Sequence, residues 1–416
     1  TWFIIAIAAS IPYMYLGMAP VLALFEAFSG ITTTGATIIT DFSIYPDSFF
    51  LWRAMTQWFG GLGVIALFVV ILPQLGVAGR EILFAESSDA TTDIVSPSVR
   101  ESAQKLWLLY IALTVSQILM LYLVGNMNWF NSICHSLSGI SAGGFSPNPD
   151  SIAGYNSPTI EWILIFYMIL SGISFPLIWV GLTRRPLALI RDGEIKFYTL
   201  TLISCAIGIS LILAEGIVNL SHFRSALFQS ASLMTGTGFA SVDYVGNESW
   251  NNATRGLLLI VMLIGGCAGS ACGGPKAIRN LLSIKYIWSE ITRTLHPRAV
   301  LSLRHRGKVI PVPVMRSILS LVLLYALTYC LVAIALMLLG SNFVTSFSAA
   351  LACVANIGPG FGEVGPMSNY AHFDSASHII LSIGMWMGRL ELVTVLALLH
   401  PDVITHIRWK SKTYRN

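Results

Sequence analysis

Four short turns rich in small residues have backbones that could bind a cation. Each follows an apolar stretch too short to cross a membrane, and each lies between two longer hydrophobic stretches. The turns are Thr33-Thr34-Gly35-Ala36-Thr37, Ser141-Ala142-Gly143-Gly144-Phe145, Gly236-Thr237-Gly238-Phe239 and Asn356-Ile357-Gly358-Pro359-Gly360. A central glycine permits positive φ, which lets successive carbonyl groups point toward one axis. Such carbonyls replace the hydration shell of an ion, so the turns predict four re-entrant loops around an ion pore.

The predicted ion ligands are the carbonyl groups at the aligned glycines and at the two residues before each of them. These residues are Thr33, Thr34, Gly35, Ser141, Ala142, Gly143, Gly236, Thr237, Gly238, Asn356, Ile357 and Gly358. No loop has the full Thr-Val-Gly-Tyr-Gly pattern of potassium channels, so we expect fewer ordered ion sites. One such turn alone would more often simply end a helix, but four turns at matching positions favour a filter.

Composition places the chain in a lipid bilayer. Of its 416 residues, 55% are hydrophobic and only 11% are charged, and the mean hydropathy is +0.72. So few charges cannot cover the surface of a soluble globule of this size.

The hydrophobic stretches predict eight membrane spans, because a helix needs about 20 largely apolar residues to cross a bilayer. They cover residues 2–22, 54–79, 106–125, 162–183, 197–214, 256–275, 317–340 and 377–399. Four intervening segments would reach only about 18 Å as helices, and they cover 21–32, 129–140, 223–234 and 343–354. We therefore predict an all-α integral membrane protein with four parallel helix–pore-loop–helix repeats in a pseudo-four-fold arrangement around a central pore.

The repeats divide the chain into five segments. We expect pore repeat 1 in residues 1–79, and a linker with pore repeat 2 in 80–183. Residues 184–275 form pore repeat 3, which ends in an intramembrane loop, and 276–400 hold a linker and pore repeat 4. A basic tail follows in 401–416.

The charged residues predict the orientation of the chain, because Lys and Arg collect on the cytoplasmic side of a membrane. If the linkers between repeats and the C-terminus are cytoplasmic, they hold 20 of the 24 Lys and Arg residues. The opposite side is mainly acidic, with Asp41, Asp47, Asp150, Glu161, Asp243, Glu248, Glu363 and Asp374. Such an acidic vestibule would attract cations, although a solvated rim with no guiding role is the alternative.

The predicted span 256–275 is interrupted by a glycine-rich stretch. After Ile264 the run Gly-Gly-Cys-Ala-Gly-Ser-Ala-Cys-Gly-Gly-Pro has little helix propensity, so we expect the helix to break within the membrane. Irregular backbone at that depth must be buried in protein or line water, which makes this stretch a candidate gate beneath the filter. Close helix packing through small residues is the alternative. The predicted gating residues are Gly265, Gly266, Gly269, Gly273, Gly274, Lys276 and Arg389.

Arg389 interrupts the last predicted span. An arginine at the bilayer centre costs about 2.5–3.5 kcal/mol on insertion scales, so it should face the bundle interior or a wet cavity. We expect it to lie near the 265–275 stretch and to contribute a positive barrier that the gate relieves. A structural pair with Glu391 or another carboxylate is the alternative. Residues two apart on a helix do not face each other, so Glu391 is the weaker partner.

Several motifs together resemble one known family. They are Gly-Ile-Thr-Thr-Thr-Gly-Ala-Thr at 30–37, Gln-Trp-Phe-Gly-Gly-Leu-Gly at 57–63, Gly-Gly-Cys-Ala-Gly-Ser at 265–270, Leu-His-Pro-Arg-Ala-Val at 295–300 and Gly-Arg-Leu-Glu at 388–391. With them the chain resembles the membrane subunits of bacterial Trk-type potassium uptake systems, the TrkH/TrkG family in the superfamily of K⁺ transporters.

This resemblance implies K⁺ as the ion bound at the filter residues and a pseudo-four-fold pore in a membrane homodimer of the bacterial inner membrane. It also implies a peripheral, TrkA-like nucleotide-binding subunit that gates the pore from the cytoplasm. Family members usually have two more helices before the first pore repeat, whereas this sequence begins inside a span without Met. We therefore expect a truncated N-terminus.

Other patterns point away from different functions. Gly360-Phe-Gly-Glu-Val-Gly365 matches a dinucleotide fingerprint but lacks its strand and helix context, so nucleotide control should come from another chain. The sequence shows no catalytic triad, paired carboxylate cleft or H-E-x-x-H helix. We expect no enzyme, no organic cofactor, no metal site at Cys267 and Cys272, and no nucleic-acid partner. His135 is expected to be a satisfied packing residue.

Two questions stay open at the level of sequence. A Na⁺- or H⁺-coupled K⁺ symporter with broken helices is the alternative to a channel-like protein. The basic stretch 276–316 could dock a subunit, which we favour, but it could also bind anionic lipid or simply be solvated.

Overall fold

The computed structural model describes residues 2–70, 99–214, 219–299, 301–305, 308–390 and 392. The helices are α1 (Trp2–Tyr15), α2 (Pro20–Ile31), α3 (Asp47–Val70), α4 (Val99–Leu123), α5 (Trp129–Ile140), α6 (Pro158–Ser171), α7 (Phe175–Thr183), α8 (Leu187–Arg191), α9 (Gly193–Leu213), α10 (Leu220–Thr235), α11 (Asn252–Ile264), α12 (Ala277–Leu295), α13 (Val312–Leu338), α14 (Phe343–Val354) and α15 (Ser375–Arg389). Single turns of 3-10 helix lie at Ala153–Tyr155 and Gly362–Val364. The all-α prediction therefore holds apart from one small hairpin.

That hairpin lies in the predicted basic stretch. Strand β1 (Arg304–His305) pairs antiparallel with β2 (Lys308–Val309), with Arg304 opposite Val309. Parts of several predictions lie outside the described residues, namely most of the linker that begins at residue 80, the ends of two predicted spans at 71–79 and 393–399, and the tail 401–416.

The predicted spans are helical where they are described, but they differ in length. Within the described residues, three helices are long and apolar enough to cross a membrane on their own: α4, α9 and α13. Helix α1 ends at Tyr15, shortly before Gly17, whose φ of 91° does not fit a helix. Exposed leucines on the longer helices, such as Leu108, Leu200 and Leu323, form an apolar outer surface that suits a lipid environment.

The prediction of one continuous span over 162–183 is wrong. Helices α6 and α7 together fit a span, but they are bent by 99° at the break between them. The chain leaves the helix at Gly172, and Pro176 in the first turn of α7 has no N–H to continue the α6 ladder. Gly172 followed by Pro176 was the sequence signal for this break. The prediction missed it because the whole stretch is uncharged and was therefore taken as one span.

The four short helices lie where the sequence predicts them. Helices α5 and α14 agree with prediction at both ends, α2 is displaced by one residue, and α10 is longer by three residues at its start and one at its end. Asparagine side chains fix two of the starts, because Asn128 accepts from the Asn131 N–H and Asn342 accepts from the Thr345 N–H.

The short helices form the centre of the molecule. Nearly every side chain of α10 after its first turns is buried, and so is most of α14. The long helix after one short helix packs against the next short helix, as α3 does on α5 and α6 does on α10. Helix α15 packs on α2, which brings the end of the chain back to its beginning. The turns that follow the short helices are thereby brought together.

Candidate functional site

The four turns share one backbone conformation. In each of them two residues separated by one position have positive φ: Thr33 and Gly35, Ala142 and Gly144, Gly236 and Gly238, Asn356 and Gly358. Three of these residues are not glycine and still adopt φ values of 52° to 55°, which is uncommon for side chains with a Cβ. The repetition shows that the turns are equivalent structures, which we call loops 1 to 4.

This equivalence corrects the alignment of loop 2. The sequence aligned Gly143 with Gly35, Gly238 and Gly358, but the structure has Gly144 at that position, with φ of 80°. The equivalent triplet of loop 2 is therefore Ala142-Gly143-Gly144, one residue later than predicted. Two adjacent glycines left the choice open, and only the backbone angles decide it.

The loops contact one another in a closed ring. A Cβ added to Gly35 would overlap the Gly143 carbonyl oxygen, and one on Gly144 would overlap the Thr237 carbonyl oxygen. In the same way Gly238 lies against the Ile357 carbonyl oxygen, and a Cβ on Gly358 would lie 2.6 Å from the Thr34 carbonyl oxygen. Each glycine thus lies against the middle residue of the next loop, and loop 4 meets loop 1.

A side-chain bond reinforces the last of these contacts. Asn356 Nδ2 in loop 4 donates to Thr34 Oγ1 in loop 1 at 2.9 Å. The same nitrogen donates to the Met385 carbonyl oxygen at 2.9 Å, which ties both loops to α15.

Most of the predicted ligand carbonyls accept no hydrogen bond. Two exceptions are Gly143, which accepts from Gln57 Nε2 at 2.6 Å, and Gly358, which accepts from Tyr370 Oη at 2.7 Å. The other ten carbonyl groups have no donor within the described part of the chain. Because an unpaired carbonyl in a buried place is costly, this cluster is suited to a positively charged ligand.

One cavity lies on the far side of the loops from the short helices. It has a volume of about 160 Å³, and its lining includes the aligned glycine of each of the four loops and residues that follow loops 1, 2 and 4. Among the described residues, Asp150 is the only acidic residue in its lining, and Arg53 is the only basic one. Asp41, Asp243 and Glu363 are absent from this lining, so the predicted acidic vestibule is less acidic at the loops than the sequence indicates.

Glu161, which the sequence also placed in the acidic vestibule, forms an ion pair. Its Oε2 accepts from Arg224 Nε at 2.8 Å, and the Glu161 residue is only 9% exposed. The counting of charges along the sequence missed this pairing because the two residues lie on α6 and α10, in different repeats.

The glycine-rich stretch is irregular, as predicted. Helix α11 ends at Ile264 and α12 begins at Ala277, so residues 265–276 are not helical. This stretch reaches loop 4, because a Cβ on Gly273 would lie 2.6 Å from Asn356 Cβ, and one on Gly274 would lie 2.6 Å from the Ala355 carbonyl oxygen.

The backbone of this stretch is bound to the break between α6 and α7. The Phe175 N–H donates to the Gly269 carbonyl oxygen at 3.0 Å, and the Cys267 N–H donates to the Gly172 carbonyl oxygen at 2.9 Å. Two interrupted helices therefore satisfy each other's backbone groups. The Ala268 N–H donates to Glu194 Oε1 at 2.6 Å.

The end of the stretch closes on itself. Lys276 Nζ donates to the Cys272 carbonyl oxygen at 2.5 Å, and Lys276 is 5% exposed. Gly265 and Gly266 lie at the start of the stretch, where the Ala277 N–H donates to the Gly266 carbonyl oxygen at 2.9 Å.

Arg389 is buried at the end of α15. It is 4% exposed, and none of its three side-chain nitrogens donates to an acceptor in the described parts of the chain. It lies within electrostatic range of Cys272 in the glycine-rich stretch, Tyr110 on α4 and Tyr325 on α13. Arg389 is thus near the predicted gate, while Glu391, its alternative partner, lies outside the described residues.

Arg53 is another buried arginine, and unlike Arg389 it has an acidic partner among the described residues. The sequence did not predict this ion pair. Arg53 Nε on α3 donates to Glu26 Oε1 on α2 at 2.8 Å, and the two residues are 1% and 0% exposed. The acid was hidden because it lies inside an apolar short helix. His135 is bonded at both ring nitrogens, to the Asn131 carbonyl oxygen and Ser146 Oγ, which agrees with a packing role.

The described residues contain no group of three or more His, Cys, Asp and Glu side chains that could hold a metal ion. All six cysteines are free.

Comparisons with known proteins show the family to which this chain is similar. A sequence model of the TrkH family, described as cation transport proteins, matches residues 7–402. The TrkH potassium uptake protein of Halomonas elongata is 35% identical over 407 residues, which cover 96% of this chain and 83% of the relative. TrkG of Escherichia coli is 35% identical over 95% of this chain and 82% of its own length.

A solved structure has the same fold. The crystal structure of the potassium transporter TrkH from Vibrio parahaemolyticus superposes with a TM-score of 0.86 at 31% identity, over 97% of this chain and 83% of that one. These relatives are transport proteins rather than enzymes. On the family match and these identities, the chain belongs to the TrkH family of cation transport proteins.

Proposed function

We propose that this protein takes up K⁺ across a bacterial inner membrane through a filter formed by the four loops. The observation that carries the proposal is the closed ring of loops with ten carbonyl groups that accept no hydrogen bond in the described residues. Four turns around one axis can surround a dehydrated ion with oxygen ligands. The names of the relatives, which are potassium uptake proteins, support K⁺ as this ion.

The alignment of the loops refines the proposed ligands. We keep the predicted residues and add Gly144, because its triplet matches those of the other loops. The carbonyls of Gly143 and Gly358 already accept one hydrogen bond each, so they have one lone pair left for an ion.

The stretch 265–276 and Arg389 are the proposed gate. The stretch contacts loop 4. The Arg389 guanidinium has no hydrogen-bond partner among the described residues, and it interacts electrostatically with Cys272 in the stretch. A positive charge at this point opposes the passage of a cation, and movement of the stretch would change that barrier. The backbone bonds to the α6–α7 break hold the stretch in place against that break.

Assembly and orientation belong to the same proposal. We infer a homodimer with its linkers and C-terminus in the cytoplasm, where a TrkA-like nucleotide-binding subunit controls the gate. The concentration of Lys and Arg in the linkers supports this orientation, and the family membership supports the subunit.

Ion flux into vesicles that contain the purified protein tests the function. With K⁺ outside, we expect accumulation driven by the membrane potential, and much less flux when Na⁺ replaces K⁺. About 2.3 kcal/mol is available per charge for each 100 mV, so uptake needs no second ion. Equal flux of K⁺ and Na⁺, or no flux of either, would contradict the proposal.

A coupled symporter is the second candidate, favoured by the broken helices at α6–α7 and after α11. The current reversal potential separates the two. For a channel-like protein, the K⁺ gradient alone sets the reversal potential. For a symporter, the reversal potential also shifts with the Na⁺ gradient or with pH.

A further inference from the structure

The short helices carry unequal side chains at one equivalent position. Nine residues before the aligned glycines stand Glu26, His135, Gln229 and Ala349. The first three bond to the segment that leaves their own loop, since Thr37 Oγ1 lies 3.1 Å from Glu26 Oε1, Ser146 Oγ lies 3.1 Å from His135 Nε2, and Gln229 Nε2 donates to the Val242 carbonyl oxygen. These three side chains each link a short helix to the segment that follows its loop. Glu26 is the acidic one.

Glu26 and its partner Arg53 connect loop 1 to other loops. Glu26 accepts from the Ile38 N–H at 3.1 Å, and Arg53 Nη2 donates to Thr37 Oγ1 at 3.1 Å. Arg53 Nη1 also donates to the Ser146 carbonyl oxygen, which follows loop 2. The Tyr370 N–H, which follows loop 4, donates to the Thr37 carbonyl oxygen at 2.8 Å. The segments after loops 1 and 2 therefore meet at the ion pair, and the segment after loop 4 is bonded to the backbone of Thr37 beside it.

The arginine lies where its charge matters for a permeating cation. It lines the cavity over the loops, and its Cζ lies 3.9 Å from the centroid of the Phe145 ring, beside loop 2. Three more aromatic rings lie at 5.9 Å. An uncompensated guanidinium at the mouth would repel cations, and Glu26 cancels this charge at 2.8 Å.

We propose that the Glu26–Arg53 ion pair is a positioning device for the filter. It holds the outgoing ends of loops 1 and 2 together, and thereby sets the preference for K⁺ over Na⁺, while the carboxylate keeps the mouth open to cations. This role rests on the proposed function of the loops. The pair acts through Thr37 and Ser146 and contributes no ligand of its own.

The chain offers a matched control. Glu161 and Arg224 also form a pair with an Nε–Oε distance of 2.8 Å between a short helix and a neighbouring helix, but neither residue lines the cavity. Flux of K⁺ and Na⁺ would be measured in vesicles with the full chain and with E26Q, the double variant E26Q/R53Q, Thr37→Val and E161Q. The initial rates give a KM for K⁺, a maximal rate and a K⁺/Na⁺ ratio for each protein.

The expected results separate charge from position. E26Q leaves Arg53 uncompensated, so KM for K⁺ should rise about ten-fold and the K⁺/Na⁺ ratio should fall. E26Q/R53Q removes the net charge, so KM should return toward the original value while the ratio stays low. Thr37→Val keeps both charges paired, so it should lower the ratio and leave KM unchanged. E161Q should match the unmodified protein in both.

Two results would overturn the inference. One is an unchanged K⁺/Na⁺ ratio in E26Q and Thr37→Val, and the other is an equal fall of the ratio in E161Q. If E26Q does not reach the membrane, Thr37→Val decides alone, because it removes one hydroxyl and keeps the ion pair. If the unmodified protein itself shows no preference for K⁺, the proposed function fails. If it prefers K⁺ and the variants do the same, only the inference fails.

Discussion

Single glycines in the loops are the most sensitive residues, and loop 2 gives the sharpest test. Gly144→Ala should abolish selective K⁺ flux, because its φ is positive and its Cβ would overlap the Thr237 carbonyl oxygen. Gly143→Ala should keep more of the flux than Gly144→Ala, because the φ of Gly143 is not positive and its Cβ would meet the side-chain amide of Gln57 rather than backbone. Flux in vesicles measures both variants. Greater damage from Gly143→Ala would show that the alignment of loop 2 is wrong.

Arg389 gives a second prediction at this scale. Arg389→Ala should raise basal K⁺ flux about ten-fold, which corresponds to removal of roughly 1.4 kcal/mol of electrostatic barrier. Arg389→Lys keeps the charge and is the control, with flux close to the original. Unchanged flux in Arg389→Ala would remove this residue from the gate.

The sequence predicts where the four loops lie, but it does not predict their detailed backbone geometry. Glycines mark the four turns because only they tolerate close contact with a neighbouring carbonyl oxygen. The partners of positive φ, Thr33, Ala142 and Asn356, carry side chains that normally avoid this conformation, so the sequence could not predict them. The bond of Gln57 to the Gly143 carbonyl joins residues 86 positions apart in the chain, and no local pattern signals it.

At the scale of elements, the glycine-rich stretch after α11 is held by its neighbours, and this can be tested through Glu194. Glu194→Ala removes the acceptor for the Ala268 N–H, so the stretch should loosen and basal K⁺ flux should rise several-fold. The K⁺/Na⁺ ratio should stay the same, because the ring of loops is intact.

Glu290→Ala is the control for this variant. Glu290 forms an exposed pair with Arg293 on α12, and exposed pairs contribute little to stability, so its flux should not change. A lower K⁺/Na⁺ ratio in Glu194→Ala would mean that the stretch acts on the filter itself.

The elements themselves were largely predictable, with one informative failure. The short helices are fixed by local signals such as Asn128 and Asn342, and the end of α11 follows from a run of glycines. The break between α6 and α7 is different, because its backbone groups bond to residues about a hundred positions later, at Cys267 and Gly269. Tertiary contacts stabilise this break, and hydropathy carries no information about them.

At the scale of the whole molecule, a bound ion should stabilise the fold. Under the proposed function, the loop carbonyls that accept no hydrogen bond in the described residues bind a cation in the folded state alone. A ligand at 100 times its Kd adds about 2.7 kcal/mol. We therefore expect K⁺ to raise the thermal unfolding midpoint in detergent by about 5 °C relative to Li⁺ at equal ionic strength.

Gly144→Ala is the control for this measurement, because it should lose the K⁺-dependent shift. The same shift with every alkali metal ion would attribute it to general salt effects rather than to the ring.

The closed ring of loops has a consequence for how this protein can change over evolution. All four loops belong to one polypeptide, so a single substitution alters one quadrant and leaves three as they were. In a pore built from four identical subunits, the same mutation would be copied four times. The four repeats can therefore differ at one equivalent position, as they do at Glu26, His135, Gln229 and Ala349. Each repeat can evolve a separate role.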